Sequence, residues 1–187
     1  MPLPSFLTSM GLVILMELGD KTMLTGMCLS AQYRRPWTVL LAVMIALGIS
    51  TLVAVTMGII LSVALPIDAI VLVSGTLFVG LGIYSLVRSG SEGPESCDNP
   101  GTFMSMVSLV LFSELGDKSQ IVILALSAQS LFPLMVLFGA MFGFFIVDLL
   151  GVYAGNWMSS RISMKAVKRI AGAIFILFGI LVIFRVI

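Results

Sequence analysis

The sequence predicts an all-α integral membrane protein, with six transmembrane helices arranged as two inverted three-helix repeats. Three observations predict it. Of the 187 residues, 59% are hydrophobic and only 10% charged, whereas a soluble domain carries about a quarter charged residues. Mean hydropathy is +1.18, and apolar runs of about 20 residues, the length that crosses a bilayer, recur along the chain. The second half also matches the first without a gap at a shift of 97 positions (114 − 17).

The first helix is expected from about Pro4 to Gln32. The turn Tyr33-Arg34-Arg35 leads to Pro36, whose fixed φ suits a first helical turn. The second helix then continues to about Ala64. Pro66-Ile67-Asp68 is a tight turn, and the third helix runs from about Ala69 to Val87. Residues 89–101 are rich in Ser, Gly, Pro and acids, which marks a solvated linker. The fourth helix runs from about Thr102 to Gln129. Pro133 opens the fifth, which ends near Met158. A basic connector spans Arg161 to Arg169, and the sixth helix begins near Ile170. The division is therefore 1–88 for the first repeat, 89–101 for a cytoplasmic linker and 102–187 for the second repeat.

The same shift carries Ser30-Ala31-Gln32 onto Ser127-Ala128-Gln129, Pro36 onto Pro133, Gly58 onto Gly155, Gly75 onto Gly172 and Gly82 onto Gly179. This is an internal duplication of three helices. Three is odd, so the copies enter the membrane from opposite sides. Secondary transporters recurrently use this architecture, with the substrate site near the midplane where the repeats meet. Glu17 lies roughly 20 Å from Pro4 at 1.5 Å per residue, and Glu114 lies at a similar depth in the fourth helix. Positive charge orients the chain. Arg34, Arg35, Arg88, Arg161, Lys165, Lys168 and Arg169 fall on one side of the six-helix arrangement, and Arg185 on the other. The basic side is expected to be cytoplasmic, with both termini and the Asp68 turn outside. Tyr33, Trp37, Tyr84 and Trp157 fall at the same cytoplasmic interface, where amphipathic rings anchor helices.

The chemistry gathers in Glu17-Leu18-Gly19-Asp20-Lys21-Thr22 and its repeat Glu114-Leu115-Gly116-Asp117-Lys118-Ser119. An ionisable side chain in hydrocarbon costs several kcal/mol (~2.5–3.5 on insertion scales), so each is a functional-site candidate. On a continuous helix, residues three and four apart share a face. Glu17, Asp20 and Lys21 would then form one stripe with Leu24 and Cys28, and Glu114, Asp117 and Lys118 the equivalent stripe. Four acids and two lysines sum to −4 + 2 = −2, which one divalent cation neutralises. Hard carboxylate oxygens suit Mg²⁺, Ca²⁺ or Mn²⁺. Glu17, Asp20, Glu114 and Asp117 are the candidate metal ligands. Lys21, Thr22, Lys118, Ser119, Gln120 and Asp148 are candidate supporting or coupling residues. The bland alternative is a buried ion pair of each lysine with its own acids, which one acid per lysine would satisfy.

Asp148, in the fifth helix, replaces the repeat's Thr51 and shares a face with Gly151 and Gly155. It is either a protonated carboxyl bonded between helices or a site for a coupling proton. Gly139-xxx-Gly143 and Gly151-xxx-Gly155 read as helix-packing patterns. Gly19 and Gly116 weaken a helix by about 1 kcal/mol relative to alanine. Close helix approach is the reading preferred for them here, ahead of a local break. Among the methionines, Met23 follows Thr22 directly and has Gln120 as its counterpart; a thioether there would favour Mn²⁺ over Ca²⁺.

There is no histidine, which removes histidine metal ligands and proton relays. Cys28 and Cys97 lack zinc-site spacing and read as free thiols. No basic patch interleaved with aromatics suggests nucleic acid. No charged stretch precedes the first apolar run as it does in a signal peptide. Without histidine a zinc hydrolase is not expected, nor, without a Gly-x-Gly-Asp pair, an aspartyl protease, so the chain is expected not to be an enzyme. A channel would need a continuous polar path, and the helices offer few polar residues beyond the motifs. A non-transporting scaffold would leave four motif acids unexplained.

The two blocks resemble the Gdt-type cation exporters, which carry paired Glu-x-Gly-Asp-Lys/Arg-Thr/Ser motifs in the first helix of each three-helix repeat. That family includes bacterial manganese exporters of the MneA type and eukaryotic Golgi manganese/calcium transporters. The resemblance covers essentially the whole chain. It implies export of a divalent cation, Mn²⁺ or in some members Ca²⁺, in exchange for protons. It also implies that the motif acids, here Glu17, Asp20, Glu114 and Asp117, bind the ion, with Thr22 and Ser119 as the motif hydroxyls. The short N-terminus, without the extension of organellar members, points to a bacterial inner membrane. The expected partners are the lipid bilayer and the ion itself, as cargo, with no further cofactor.

Overall fold

The computed structural model describes residues 2–87, 101–161 and 164–185, and for residues 154–161 and 164–168 the backbone alone. The described residues form eight helices: α1 (Pro2–Glu17), α2 (Lys21–Tyr33), α3 (Pro36–Ala64), α4 (Ile67–Val87), α5 (Phe103–Glu114), α6 (Lys118–Gln129), α7 (Pro133–Arg161) and α8 (Met164–Ile183). The first and fourth helices expected from the sequence are each broken in two, at the two motifs. α1 and α2 meet at a 67° bend. The linker 89–101 lies outside the described residues, apart from Gly101.

Each break has a local cause. Gly19 and Gly116 take the left-handed φ values of +78° and +85°, which glycine adopts without the penalty of a Cβ. The next residue, Asp20 or Asp117, is extended and occupies the N-cap of the following helix, a position that favours aspartate. A Cβ at Gly116 would meet nothing within 4 Å. That glycine therefore serves the break, and the close helix approach preferred from the sequence is corrected there.

Three described helices are long and apolar enough to cross a membrane: Pro36–Ala64, Ile67–Val87 and Pro133–Tyr153, with the bent pair α1–α2 as a fourth candidate. On α3, Leu41, Ile45, Ile49 and Leu52 form an exposed apolar stripe, while Val39, Val43, Ala46, Leu47 and Ala54 are buried. Apolar residues on both faces suit a helix between protein and lipid.

The helices pair reciprocally between the halves. α1 and α2 lie on α7, α5 and α6 lie on α3, and α4 lies on α8. Small residues allow this. A Cβ at Gly143 would sit 2.9 Å from the Met10 carbonyl, and one at Gly151 would sit 2.8 Å from Met23 Cγ. This agrees with the packing role read from the glycine patterns at Gly143 and Gly151; the surroundings of Gly155 lie outside the described residues. Along α4 and α8, Gly82 faces Gly172 and Gly75 faces Gly179, each at a distance where a Cβ would strike the other's carbonyl at 2.6–3.0 Å. The first glycine of one helix meets the second of the other, so these two corresponding helices run antiparallel.

Arg185 pairs with Asp68 at one end of the bundle. Ser130 and Ser5 bond at 3.0 Å beside a cavity of about 500 Å³ that is also lined by Thr8, Ile67, Gln129 and Val182. At the other end, the Gly101 N–H donates to Tyr33 Oη at 2.8 Å, and Trp37 meets Tyr153 edge-on at 5.7 Å. Cys28 is held in a disulfide, contrary to the free thiol expected; Cys97 lies outside the described residues.

Candidate metal centre

Both breaks converge in the middle of the molecule. Because the helices stop and restart there, Glu17 ends α1 and Asp20 precedes α2, so the single helical stripe expected for Glu17, Asp20 and Lys21 does not exist. The motif instead presents four helix ends. The N-termini of α2 and α6 carry partial positive charge that favours nearby carboxylates. The C-termini of α1 and α5 turn carbonyl oxygens toward the break, as discontinuous transporter helices do.

Glu17 and Glu114 are buried, at 2% and 0% exposure. One carboxylate oxygen from each of Glu17, Glu114 and Asp117 lies within 4.8 Å of the other two. Oxygens around one Ca²⁺ lie at about 2.3–2.6 Å from it, so an opposed pair is separated by about twice that. The three acids thus have the spread of ligands to one hard cation. They come from both halves of the chain. Glu17 Oε1, Glu114 Oε2 and Asp117 Oδ2 have no hydrogen-bond partner among the described residues. Buried acceptors are almost always satisfied, and carboxylate oxygens of this kind can take a cation or protons.

Asp20 is buried but stands outside this cluster. Its Oδ1 accepts from Lys118 Nζ at 2.6 Å. Lys21 Nζ donates to the Ser113 carbonyl at 2.6 Å and lies 3.5 Å from Asp117 Oδ1. Each lysine therefore makes its ion pair with the aspartate of the other half, and Lys118 is also near enough to Asp117 for the charges to interact.

Thr22 donates its hydroxyl to Glu114 Oε1. Ser119 is buried with its Oγ unpartnered among the described residues, so the mirror bond to Glu17 is not made. Gln120 Nε2 donates to Ser50 Oγ at 2.6 Å. Met23 Sδ accepts from the Gly19 N–H at 3.3 Å, so the thioether braces the break. Asp148 is 2% exposed. It is near enough to Glu17 and Glu114 for the charges to interact, and its Oδ2 is unpartnered among the described residues, as is Thr51 Oγ1.

Residues 5–93 and 102–186 match a protein family described as "Divalent cation/proton antiporter GDT1". The chain belongs to the GDT1 family. It is 25% identical over 169 residues to a "Putative manganese exporter" of Vibrio cholerae, covering 90% of this chain and 84% of that one. It is 30% identical over 200 residues to a GDT1-like protein of Synechocystis, covering 95% and 96%. It is 29% identical over 218 residues to the chloroplastic PAM71-homolog of Arabidopsis thaliana, covering 97% of this chain but 59% of the relative. No solved structure matches it.

GDT1 membership bears out the motif resemblance and makes this a membrane cation transporter of an antiporter family, not a member of an enzyme family. Sequence reasoning did not single out Ser50 or the Ser113 carbonyl. Ser50 gave no signal, since its repeat counterpart is Val147. The Ser113 carbonyl is a backbone group that no side-chain pattern announces.

Proposed function

We propose that the chain exports Mn²⁺ from the bacterial cytoplasm in exchange for protons, across the inner membrane. The ion is held between the two breaks by Glu17, Glu114 and Asp117. The observation that carries this reading is the set of three carboxylates, drawn from both halves, with buried oxygens that no described group satisfies. With Asp20 and Asp117 facing lysines, Glu17 and Glu114 contribute the −2 that one divalent ion or two protons neutralise.

Six crossings in two inverted repeats fit the antiparallel glycine contacts of α4 with α8 and the exchange of helices between halves. In that arrangement the linker and the Arg34-Arg35 turn are cytoplasmic, and the termini and the Asp68–Arg185 pair are outside. An inside-negative potential pulls cations inward, so expulsion of a divalent ion needs a coupled ion. Carboxylates that bind metal or protons in turn supply that exchange, and Asp148 adds a proton site beside them. The manganese assignment rests on the Vibrio relative's description. Ca²⁺ is the second reading, because hard carboxylate oxygens suit it as well. Mg²⁺ sheds its water reluctantly and is disfavoured by a buried site.

The test is ion flux in proteoliposomes, comparing Mn²⁺, Ca²⁺ and Mg²⁺ at imposed pH gradients. Saturable Mn²⁺ flux that follows the proton gradient is expected. Asp148→Asn should keep metal binding but lose most of the response to the pH gradient. Calcium flux without manganese flux would reassign the ion, and flux of neither would sink the reading.

A further inference from the structure

The repeated motif makes Asp20 and Asp117 look equivalent, and the structure separates them. Asp117 belongs to the three-acid cluster, and its Oδ2 is unpartnered among the described residues. Asp20 does not belong to it, and its carboxylate meets the Lys118 ammonium at 2.6 Å. The Asp20 side chain is 3% exposed, against 14% for Asp117. Asp20 and Asp117 both occupy N-caps without the side-chain cap bond that aspartate ordinarily makes there, and Asp20 gives its carboxylate to the other half of the chain. Lys21 divides its ammonium between Asp117 and the Ser113 carbonyl, so Asp117 is not held as Asp20 is.

We propose that Asp20 is a positioning residue, not a metal ligand: the Lys118–Asp20 ion pair ties the two helix breaks together and keeps the Lys118 ammonium off the cation site. The inference rests on the three-acid cation site. A charge-assisted bond at 2.6 Å is of the strong kind. Asp20 is buried and Lys118 partly so; removing one partner leaves the other uncompensated, while removing both does not. The Lys118 ammonium lies near enough to Asp117 and Glu17 for their charges to interact; without Asp20 it is free to bond them directly and compete with the ion. Without both, the three ligands are left as they were.

The test is Mn²⁺ affinity of the purified full chain by calorimetry, together with KM for Mn²⁺ in proteoliposomes. Asp20→Asn alone should weaken binding more than tenfold. Asp20→Asn with Lys118→Gln should return Kd and KM to within about threefold of the parent. The mirror pair, Asp117→Asn with Lys21→Gln, should stay weak, because Asp117 is a ligand. If the first double variant binds as poorly as Asp20→Asn alone, Asp20 is a ligand and the proposal is overturned. If it does not purify as a monodisperse species, Asp20→Ser with Lys118→Met, which keeps a good N-cap, makes the same comparison. Glu17→Gln tests the site separately. Normal Mn²⁺ binding in that variant overturns the three-acid site itself, whereas weak binding there without rescue at Asp20 overturns this inference alone.

Discussion

The two helix breaks share a backbone and differ in their surroundings. In each, the aspartate N–H donates to the glutamate carbonyl three residues back, at 3.0 and 3.1 Å, and the new helix starts on the aspartate carbonyl, at 3.2 and 3.3 Å. The first break is enclosed: Gly19 and Asp20 are buried, and Met23 braces the Gly19 N–H. The second lies open, with Leu115 51% exposed and Gly116 exposed, and its Gln120 turns away to Ser50. Thr22 bonds Glu114, while Ser119 leaves Glu17 unserved. One sequence pattern thus produces one local conformation. The neighbours, α7 for the first break and α3 for the second, decide which glutamate gains a hydroxyl partner.

The largest effect should come from the glutamates. Glu17→Gln and Glu114→Gln each remove a buried ligand charge, and each should lower Mn²⁺ flux in proteoliposomes at least a hundredfold while leaving a folded protein. Normal transport by Glu114→Gln alone would mean that the second break takes no part and that the halves do not share a site.

The glycines come next. An L-residue in the left-handed region costs about 1–2 kcal/mol, so Gly116→Ala should lower thermal stability and flux even though its Cβ has room. Gly116→Asn should recover part of the loss, because asparagine tolerates this conformation. Gly19→Ala, in the enclosed break, should cost more. Melting temperatures in detergent compare the three. Equal losses at Gly19 and Gly116 would show that surroundings add nothing to the backbone term.

The hydroxyls should give the smallest effect. Thr22→Val removes a hydrogen bond to a carboxylate, a class worth about 1.5–3 kcal/mol, and should weaken Mn²⁺ binding about ten- to a hundredfold. Ser119→Ala removes an unpartnered hydroxyl and should weaken it less than tenfold. Calorimetric titration with Mn²⁺ separates them, and the reverse order would place the ion on the Ser119 side of the site.

The sequence alone determined that this is an apolar helical chain, that its halves are copies, and which two blocks carry the charges. Those properties follow from composition, period and self-match, which need no knowledge of neighbours. The breaks were legible too, since glycine followed by aspartate is a helix stop and a helix start in adjacent positions. Glycine serves close helix approach equally well, so residue type alone does not choose between the two. Only the tertiary structure decided the partners. Lys21 and Lys118 lie next to their own aspartates in sequence, yet each meets the other half's. Asp20 and Asp117 are identical in motif, yet one is paired and the other sits in the acid cluster. The physical reason is that ion pairs and ligand sets form by distance in space, and the helix ends bring distant residues closer than the bend leaves adjacent ones.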